Sequence, residues 1–183
     1  MTRVLGICGS LRANSYNREL LAVLGGFFPD DVSFSIFDAV DVPVFNADLE
    51  VDGDPPSVSA LKEAIANADL VVFATPEYNG SIPGSMKNLI DWASRAPDPL
   101  KGKPAAIIGG TTGRFGTAHA QMMLRHILVY LNCPLLPGMI AFAHLRDSFD
   151  GATLTDEAIR ERLEKAAGAM LDWVAKVGSE SQV

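Results

Sequence analysis

Cysteine is scarce in this chain. Only Cys8 and Cys133 occur, far apart in the sequence, and neither a Cys-x-x-Cys nor a His-x3-His spacing is present. Two isolated cysteines do not form a disulfide framework, and the usual zinc-binding patterns need closely spaced ligands. We therefore expect a fold that is stabilised by its hydrophobic core and has no metal centre.

Positive charge is also in short supply. The chain has 15 Lys and Arg residues against 22 Asp and Glu residues, a formal net charge of −7, and no basic cluster. A nucleic-acid surface needs basic side chains to neutralise phosphates, and anionic membranes attract polybasic segments. We expect neither nucleic acid nor a membrane as a partner.

Long hydrophobic runs are missing too. The first apolar run, Val4 to Cys8, is too short for the core of a signal peptide. No later run reaches the roughly 20 apolar residues that a membrane-spanning helix needs. A cytoplasmic location is therefore the expectation.

What the sequence does contain is a regular alternation of strand and helix patterns. Hydrophobic residues make up 48% of the 183 residues, enough for one domain with a large core. The predicted strands cover residues 4–8, 32–37, 70–74, 105–109 and 135–142. The predicted helices cover residues 17–27, 58–68, 83–96, 117–131 and 155–174, with Thr155 as the N-cap of the last.

This alternation predicts an α/β fold with one parallel sheet between two helical layers. Five strands with right-handed crossovers fit the flavodoxin-like three-layer sandwich, with strand order 2-1-3-4-5. We expect one domain over residues 1–178 and a frayed tail over residues 179–183. Ligands of such sheets bind where the strands end, so the loops of interest are residues 9–17, 76–83 and 109–117.

The first of these loops has the chemistry of a phosphate site. It opens a helix, where free N–H groups and the helix dipole attract anions. Ser10, Ser15 and Asn17 add neutral donors, and Arg12 adds a charge. An alternative of equal weight is that Asn14 or Ser15 caps the helix while Arg12 is a solvated surface residue.

The same residues do not match two other kinds of phosphate-binding site. A dinucleotide fold would need Gly-x-Gly-x-x-Gly, but only Gly6 and Gly9 are present. A cysteine phosphatase would need Cys-x5-Arg, whereas Cys8 and Arg12 are separated by three residues. Cys8 also ends an apolar strand, which favours an inert core thiol.

The second and third loops are rich in glycine. Two prolines and two glycines in residues 75–84 predict a rigid loop whose exposed backbone suits the edge of a planar heteroaromatic ring. The four glycines of residues 109–117 allow N–H groups to converge on an anion. Each loop taken alone is also compatible with ordinary turn chemistry.

Together the motifs resemble those of a known family. Ser10-Leu11-Arg12-x-x-Ser15-x-Asn17 and Pro76-Glu77-Tyr78-Asn79-Gly80-Ser81-Ile82-Pro83-Gly84 are similar to the two signatures of NADPH-dependent FMN reductases. The resemblance extends from about Val4 to Ala141. It implies that the FMN phosphate is held by Ser10, Arg12, Ser15, Tyr16 and Asn17. It further implies that the isoalloxazine rests against Pro76, Glu77, Tyr78, Asn79 and Gly80, and that the backbone of Thr111, Thr112 and Gly113 approaches its N1/O2 edge.

The resemblance also implies an activity. Hydride would pass from NADPH or NADH to FMN, and the electrons would go on to a quinone, free flavin, azo compound or metal oxyanion. No side chain is needed as a catalytic acid or base, because the cofactor carries the chemistry. The alternatives are a flavodoxin-type electron carrier without its own NAD(P)H oxidation and, less compatible with the cysteine spacing, a phosphate-ester hydrolase.

A homodimer or homotetramer is the last expectation. The predicted fourth helix carries Met122, Met123, Val129 and Tyr130 in addition to its inward stripe, and Trp92 is a second candidate for an interface. A helix that is apolar on more than one face needs a second surface to cover it. Alternatively, residues 142–154 or the last helix cover this face within one chain. The lone histidines, His119, His126 and His144, are expected on helix surfaces or interfaces rather than in catalysis.

Overall fold

The computed structural model describes residues 1–180 and contains the predicted sheet. Five parallel strands lie in the order β2-β1-β3-β4-β5. They are β1 (Thr2–Cys8), β2 (Val32–Phe37), β3 (Leu70–Ala74), β4 (Ala105–Gly110) and β5 (Ile140–Phe142). The helices are α1 (Tyr16–Gly25), α2 (Pro56–Asn67), α3 (Gly84–Ala93), α4 (Ala118–Tyr130) and α5 (Glu157–Glu180). The flavodoxin-like order is thus confirmed.

The core consists of one apolar layer on each face of the sheet. Alternate residues of a strand point to opposite faces, so Leu5 and Ile7 of β1 join the layer under α2, α3 and α4. Val4 of β1 joins the other layer, which contains Leu20 of α1 and Leu163 of α5. Because helices cover both faces, β3 and β4 are apolar and buried at every position rather than alternating.

The last strand is shorter than its apolar pattern predicts. β5 comprises only Ile140–Phe142, and Leu135 makes an isolated bridge with Ala105. Pro137 has no N–H to donate to a sheet, and Gly138 adopts a positive φ of 90° that turns the chain away. The predicted strand over residues 135–142 is therefore wrong in its first half.

The predicted cap of the last helix is also wrong. Asp156, not Thr155, caps α5, since its carboxylate accepts the N–H of Ile159 at 3.2 Å. Thr155 instead donates its hydroxyl to the carbonyl of Ser148. α5 continues through Glu180, past the predicted domain end at residue 178. Residues 181–183 of the predicted tail lie outside the described residues.

The segment between β5 and α5 forms a small hairpin of β6 (Phe149–Asp150) and β7 (Thr153–Leu154). It packs on α1, where the rings of Phe149 and Tyr16 are 5.6 Å apart. It therefore does not cover the outer face of α4, and α5 lies in the layer on the opposite side of the sheet.

Two further features bear on partners. Trp92 is fully buried within its own chain and donates its indole N–H to the carbonyl of Pro43 at 2.8 Å, so it does not mark an interface. Within residues 1–180, no helix combines the length and the apolar character needed to cross a membrane.

Candidate functional site

Three loops meet at the carboxyl edge of the sheet. The first loop (residues 9–17) follows β1, the second loop (76–83) follows β3 and the third loop (109–117) leaves β4. Cys8 pairs with Ala74, and Ala74 pairs with Ile108, so β1 and β3 end level with each other and β4 continues to Gly110. The backbone N–H of Gly9 extends this pairing by donating to the carbonyl of Ala74 at 2.8 Å. The topology thus brings together the loops that sequence analysis singled out.

The first loop presents an uncompensated cation beside the start of α1. Arg12 is exposed, and its guanidinium has no hydrogen-bond or ion-pair partner among residues 1–180. Ser15 occupies the N-cap position but makes no side-chain cap; its hydroxyl lies 3.9 Å from the thiol of Cys8. Within the described chain, the N–H groups of Tyr16 and Asn17 also lack a partner. Capping by the Ser15 side chain is therefore wrong, whereas an exposed Arg12 agrees both with a phosphate ligand and with the alternative of a solvated surface residue.

Asn17 connects the first loop to the third. Its side-chain amide donates to the carbonyl of Gly110 at 3.0 Å, and its amide oxygen accepts the N–H of Gly110 at 2.9 Å. The side chain is almost fully buried. Asn17 was expected as a phosphate ligand, and this pairing with Gly110 was not predicted. The group of Asn17 that remains free for a phosphate is chiefly its backbone N–H.

A pocket of about 360 Å³ opens next to this loop. Its lining comprises Arg12, Asn14 and Tyr16 from the first loop, Glu19 of α1, and Gly151 and Ala152 from the turn of the β6–β7 hairpin. The hairpin was not predicted, because two-residue strands are too short to show a periodic pattern. One wall of this pocket thus comes from a segment that was expected only as a possible cover for the fourth helix.

The second loop contains a tight two-residue turn. Tyr78 and Ser81 exchange backbone hydrogen bonds of 3.0 and 3.1 Å. Between them, Asn79 and Gly80 have positive φ angles of 53° and 72°, which is the pattern of a type I′ turn and explains the Asn-Gly pair. The turn makes the loop rigid and leaves the ring of Tyr78 half exposed.

Glu77 points away from this turn and toward α4. Its carboxylate accepts the N–H groups of His119 at 2.9 Å and Ala120 at 3.1 Å, and its other oxygen lies 3.1 Å from Nδ1 of His119. Burial alone would raise the pKa of Glu77, but the hydrogen bonds from Ala120 and His119 outweigh burial and lower it. Glu77 is therefore an anion at the amino end of another helix, which the sequence alone did not indicate.

The glycines of the third loop serve different purposes. A side chain at Gly109 would lie 2.1 Å from the hydroxyl of Thr117, and one at Gly110 would lie 2.2 Å from Leu145. These two glycines are required by close packing, and Gly116 by its positive φ of 62°. Only Gly113 stands in open space, since a side chain there would meet nothing closer than 3.9 Å. Close packing and backbone conformation thus account for three of the four glycines.

Several backbone groups of the third loop that were expected to contact the isoalloxazine already make hydrogen bonds within the chain. Thr111 donates its N–H to Phe142 and accepts that of Leu145, while Gly113 donates to the hydroxyl of Thr111. Of the three predicted contact residues, Thr112 alone keeps an N–H without a partner in the described chain. Among these three residues, Thr112 is therefore the one with an N–H available for a ligand.

The three histidines lie in different settings. His119 contacts Glu77, His126 lines a groove between α3 and α4, and His144 precedes a 3-10 helix in a left-handed conformation. Across residues 1–180, no group of three or more His, Cys, Asp and Glu side chains is arranged to hold a metal ion.

The free groups of the site suit the FMN that the sequence resemblance implies. The cation of Arg12 and two free N–H groups at the start of α1 fit a terminal phosphate monoester. On the neighbouring loops, the rigid turn at Asn79 and the free N–H of Thr112 offer surfaces for a planar ring.

Comparison with known proteins gives a consistent result. The sequence model of the NADPH-dependent FMN reductase family matches residues 2–147. An NAD(P)H-dependent FMN reductase of Pseudomonas aeruginosa is 43% identical over 178 residues, 96% of either chain. The quinone reductase of Escherichia coli K12 is 42% identical over 137 residues, 73% of either chain.

A solved structure also matches nearly the whole chain. FerB, a flavoenzyme NAD(P)H:(acceptor) oxidoreductase of Paracoccus denitrificans, aligns with a TM-score of 0.86 at 36% identity. The alignment covers 96% of this chain and 98% of FerB. The family match spans all three loops and the sheet that carries them. The chain belongs to the NADPH-dependent FMN reductase family.

Proposed function

We propose that the three loops hold FMN at the carboxyl edge of the sheet. The phosphate lies at the first loop, and the isoalloxazine lies against the second and third loops. The observation that carries this proposal is the unpaired guanidinium of Arg12 beside the free N–H groups of Tyr16 and Asn17. A charged donor and a helix amino terminus on one loop are a common solution for a phosphate monoester.

The chain is an NAD(P)H-dependent oxidoreductase that uses FMN. Bound FMN supplies the redox chemistry, accepting hydride from the nicotinamide and delivering electrons to an acceptor. The residues of this chain bind and orient the reactants, and none is assigned as a catalytic acid or base. Quinones are the acceptor class that we favour, because several relatives are named quinone reductases.

Ligand titration tests the cofactor assignment. Apoprotein is titrated with FMN, FAD and riboflavin, and we expect FMN to bind more tightly than either of the other two. The site contains one phosphate-binding loop, so the additional nucleotide of FAD has no comparable anion site. Equal affinity for FMN and riboflavin would remove the proposed phosphate site.

A second assay separates the enzyme from an electron carrier. The FMN-loaded protein is mixed with NADPH or NADH and a soluble quinone, with no other protein present. We expect multiple turnovers, because the reductase takes hydride directly from the nicotinamide. A flavodoxin-type carrier would show no NAD(P)H oxidation without a partner reductase.

We further propose that the protein is a homodimer formed through α4. Four apolar side chains on the outer face of this helix are exposed, from 47% for Met123 to 81% for Tyr130; the others are Met122 and Val129. Beside them a groove of about 400 Å³ runs between α3 and α4. Neither the β6–β7 hairpin nor α5 covers this face, so a second copy of the chain is the natural occupant.

A cytoplasmic location is part of the same proposal. Both cysteines are buried and free, which suits a reducing compartment, and NAD(P)H is required as a co-substrate. Cell fractionation with an antibody tests the location directly, and recovery in an extracytoplasmic fraction would contradict it.

A further inference from the structure

The second loop is fastened to α4 by a single side chain. Glu77 bonds to the N–H groups of His119 and Ala120, 42 and 43 residues away in the sequence. These are donors of the first turn of α4, which have no partner within the helix itself. Thr117 occupies the N-cap position but its side chain makes no capping bond. Glu77 is thus the cap of α4, supplied from a different loop.

This contact fixes two loops relative to each other. The third loop runs directly into α4, so any shift of Glu77 against α4 changes the distance between the second and third loops. The tight turn at Asn79 and Gly80 begins immediately after Glu77 and moves with it. The carboxylate therefore controls the spacing of the two surfaces between which a planar ring is to be held.

The same contact changes the electrostatics of the site. The amino end of a helix carries a partial positive charge equivalent to about half an elementary charge. The Glu77 carboxylate lies against this end and beside the imidazole of His119, and its side chain is only 17% exposed. A negative charge held here opposes the field that would otherwise favour added electrons on a neighbouring ring.

We infer that Glu77 is a positioning residue for the flavin, which locks the second loop to α4 and neutralises the positive end of that helix. This inference rests on the proposed FMN site between the second and third loops. It has two measurable consequences. Removing the cap loosens the flavin site, and removing only the charge makes the bound flavin easier to reduce.

Two substitutions separate the geometric effect from the electrostatic one. Glu77→Gln keeps an oxygen that accepts the backbone N–H groups but removes the charge. We expect its FMN dissociation constant to stay within about twofold of wild type and its flavin midpoint potential to become more positive. Glu77→Ala removes the cap as well, and we expect FMN affinity to fall about fivefold, in line with the usual cost of losing a cap.

Two controls complete the design. Glu164→Gln removes the same charge from the exposed surface of α5, and it should change neither the dissociation constant nor the potential. His119→Ala removes the imidazole but leaves both backbone donors to Glu77 in place. We expect it to bind FMN like wild type, whereas an affinity loss equal to that of Glu77→Ala would assign the effect to the ring and overturn the capping argument.

The results also distinguish this inference from the proposed function. If the wild-type protein does not bind FMN, both the proposed function and the inference about Glu77 are wrong. Wild-type protein that binds FMN, together with a Glu77→Gln variant whose potential is unchanged, would overturn the inference alone. The Glu77→Gln measurement remains decisive if Glu77→Ala fails to fold.

Discussion

Arg12 is the residue on which the proposed phosphate site most depends. Its guanidinium is free of partners in the described chain, so it can bind an anion without first breaking an ion pair. Replacing Arg12 by alanine should weaken FMN binding by about 1.5–3 kcal/mol, the usual value of a hydrogen bond to a charged group. Riboflavin, which has no phosphate, should bind as before. Calorimetric titration of both ligands checks this.

A matched substitution controls for the loss of charge. Arg3 lies at the opposite end of β1 and pairs with Asp69 on the surface. Arg3→Ala changes the net charge equally, and we expect it to leave FMN binding unaltered. If Arg3→Ala weakened FMN binding as much as Arg12→Ala, long-range electrostatics rather than a direct contact would be responsible.

The cysteines give a prediction about pH. Burial raises the pKa of Cys133 to about 12, and its thiol donates to the carbonyl of Leu100. The unfolded chain loses this proton near pH 8.5. Because its pKa is higher in the folded state, the protonated thiol contributes fully to the free energy of unfolding below about pH 8.5. This contribution is lost as pH rises toward 12. Urea unfolding at several pH values should show this decline.

The comparison variant for that experiment is Cys133→Ala. It has no group to ionise, so its free energy of unfolding should fall less steeply above pH 8.5 than that of wild type. Equal slopes for the two proteins would mean that Cys133 makes no contribution. Burial also raises the pKa of Cys8, so both thiols should resist alkylation until the protein unfolds.

Single residues also mark the limit of sequence reasoning at the site. The chemical types in the first loop predicted an anion site, because hydroxyl, amide and guanidinium donors precede a helix there, although helix capping by Asn14 or Ser15 was an equal alternative. The roles of Asn17 and Glu77 were not predictable, since their partners Gly110 and His119 are far away in sequence. Only the folded sheet brings these partners within 3 Å or so of each other.

At the level of elements, α5 offers a clear test of capping. Asp156 accepts the N–H of Ile159 and also the hydroxyl of Ser148, which links the β6–β7 region to the helix. Asp156→Ala should lower the free energy of unfolding by about 0.5–2 kcal/mol. Asp156→Asn should keep most of this capping contribution, since asparagine caps nearly as well. Thermal unfolding monitored by circular dichroism measures both.

Asp172 provides the control for this prediction. It lies on the exposed surface of the same helix, well inside its ends. Asp172→Ala removes an equal charge where no cap is involved, so the stability should stay within about 0.5 kcal/mol of wild type. If Asp172→Ala lost as much stability as Asp156→Ala, the effect would come from the loss of a negative charge on the helix rather than from the loss of its cap.

The elements differ in how well the sequence predicts them. The expected bounds of the first four helices are within three residues of the observed ones, because a buried apolar stripe has a strong period of 3.6. β5 was predicted too long although Pro137 and Gly138 interrupt its apolar pattern, because the pattern does not show which side of the interruption pairs with β4. The β6–β7 hairpin was missed because its strands have two residues each.

For the whole molecule, the strand order followed from the alternation of strands and helices. Parallel strands need crossover helices, and right-handed crossovers leave few arrangements of five strands. The alternation does not indicate which residues of one loop contact the next loop. The sequence therefore predicted the edge of the sheet at which the three loops meet, but not the pairs of residues that fasten the loops together.

The proposed dimer yields the last prediction. Replacing Met123 and Tyr130 by lysine places two charges on the exposed apolar face of α4. Neither side chain is buried within the chain, so the stability of the monomer should be little changed, while a charged interface should not form. Size-exclusion chromatography with light scattering should show about twice the 19.5 kDa chain mass for wild type and the single-chain mass for the double variant.

Salt and a second substitution make this prediction specific. Each subunit carries a formal net charge of −7, so two subunits repel each other at low ionic strength. Screening at about 0.15 M salt shortens the range of this repulsion to roughly 8 Å, and the wild-type dimer should tighten as salt is added.

Val51→Lys alters an exposed apolar residue away from α4 and should leave the dimer intact. A wild-type protein that stays monomeric at high concentration and high salt would rule out the proposed interface.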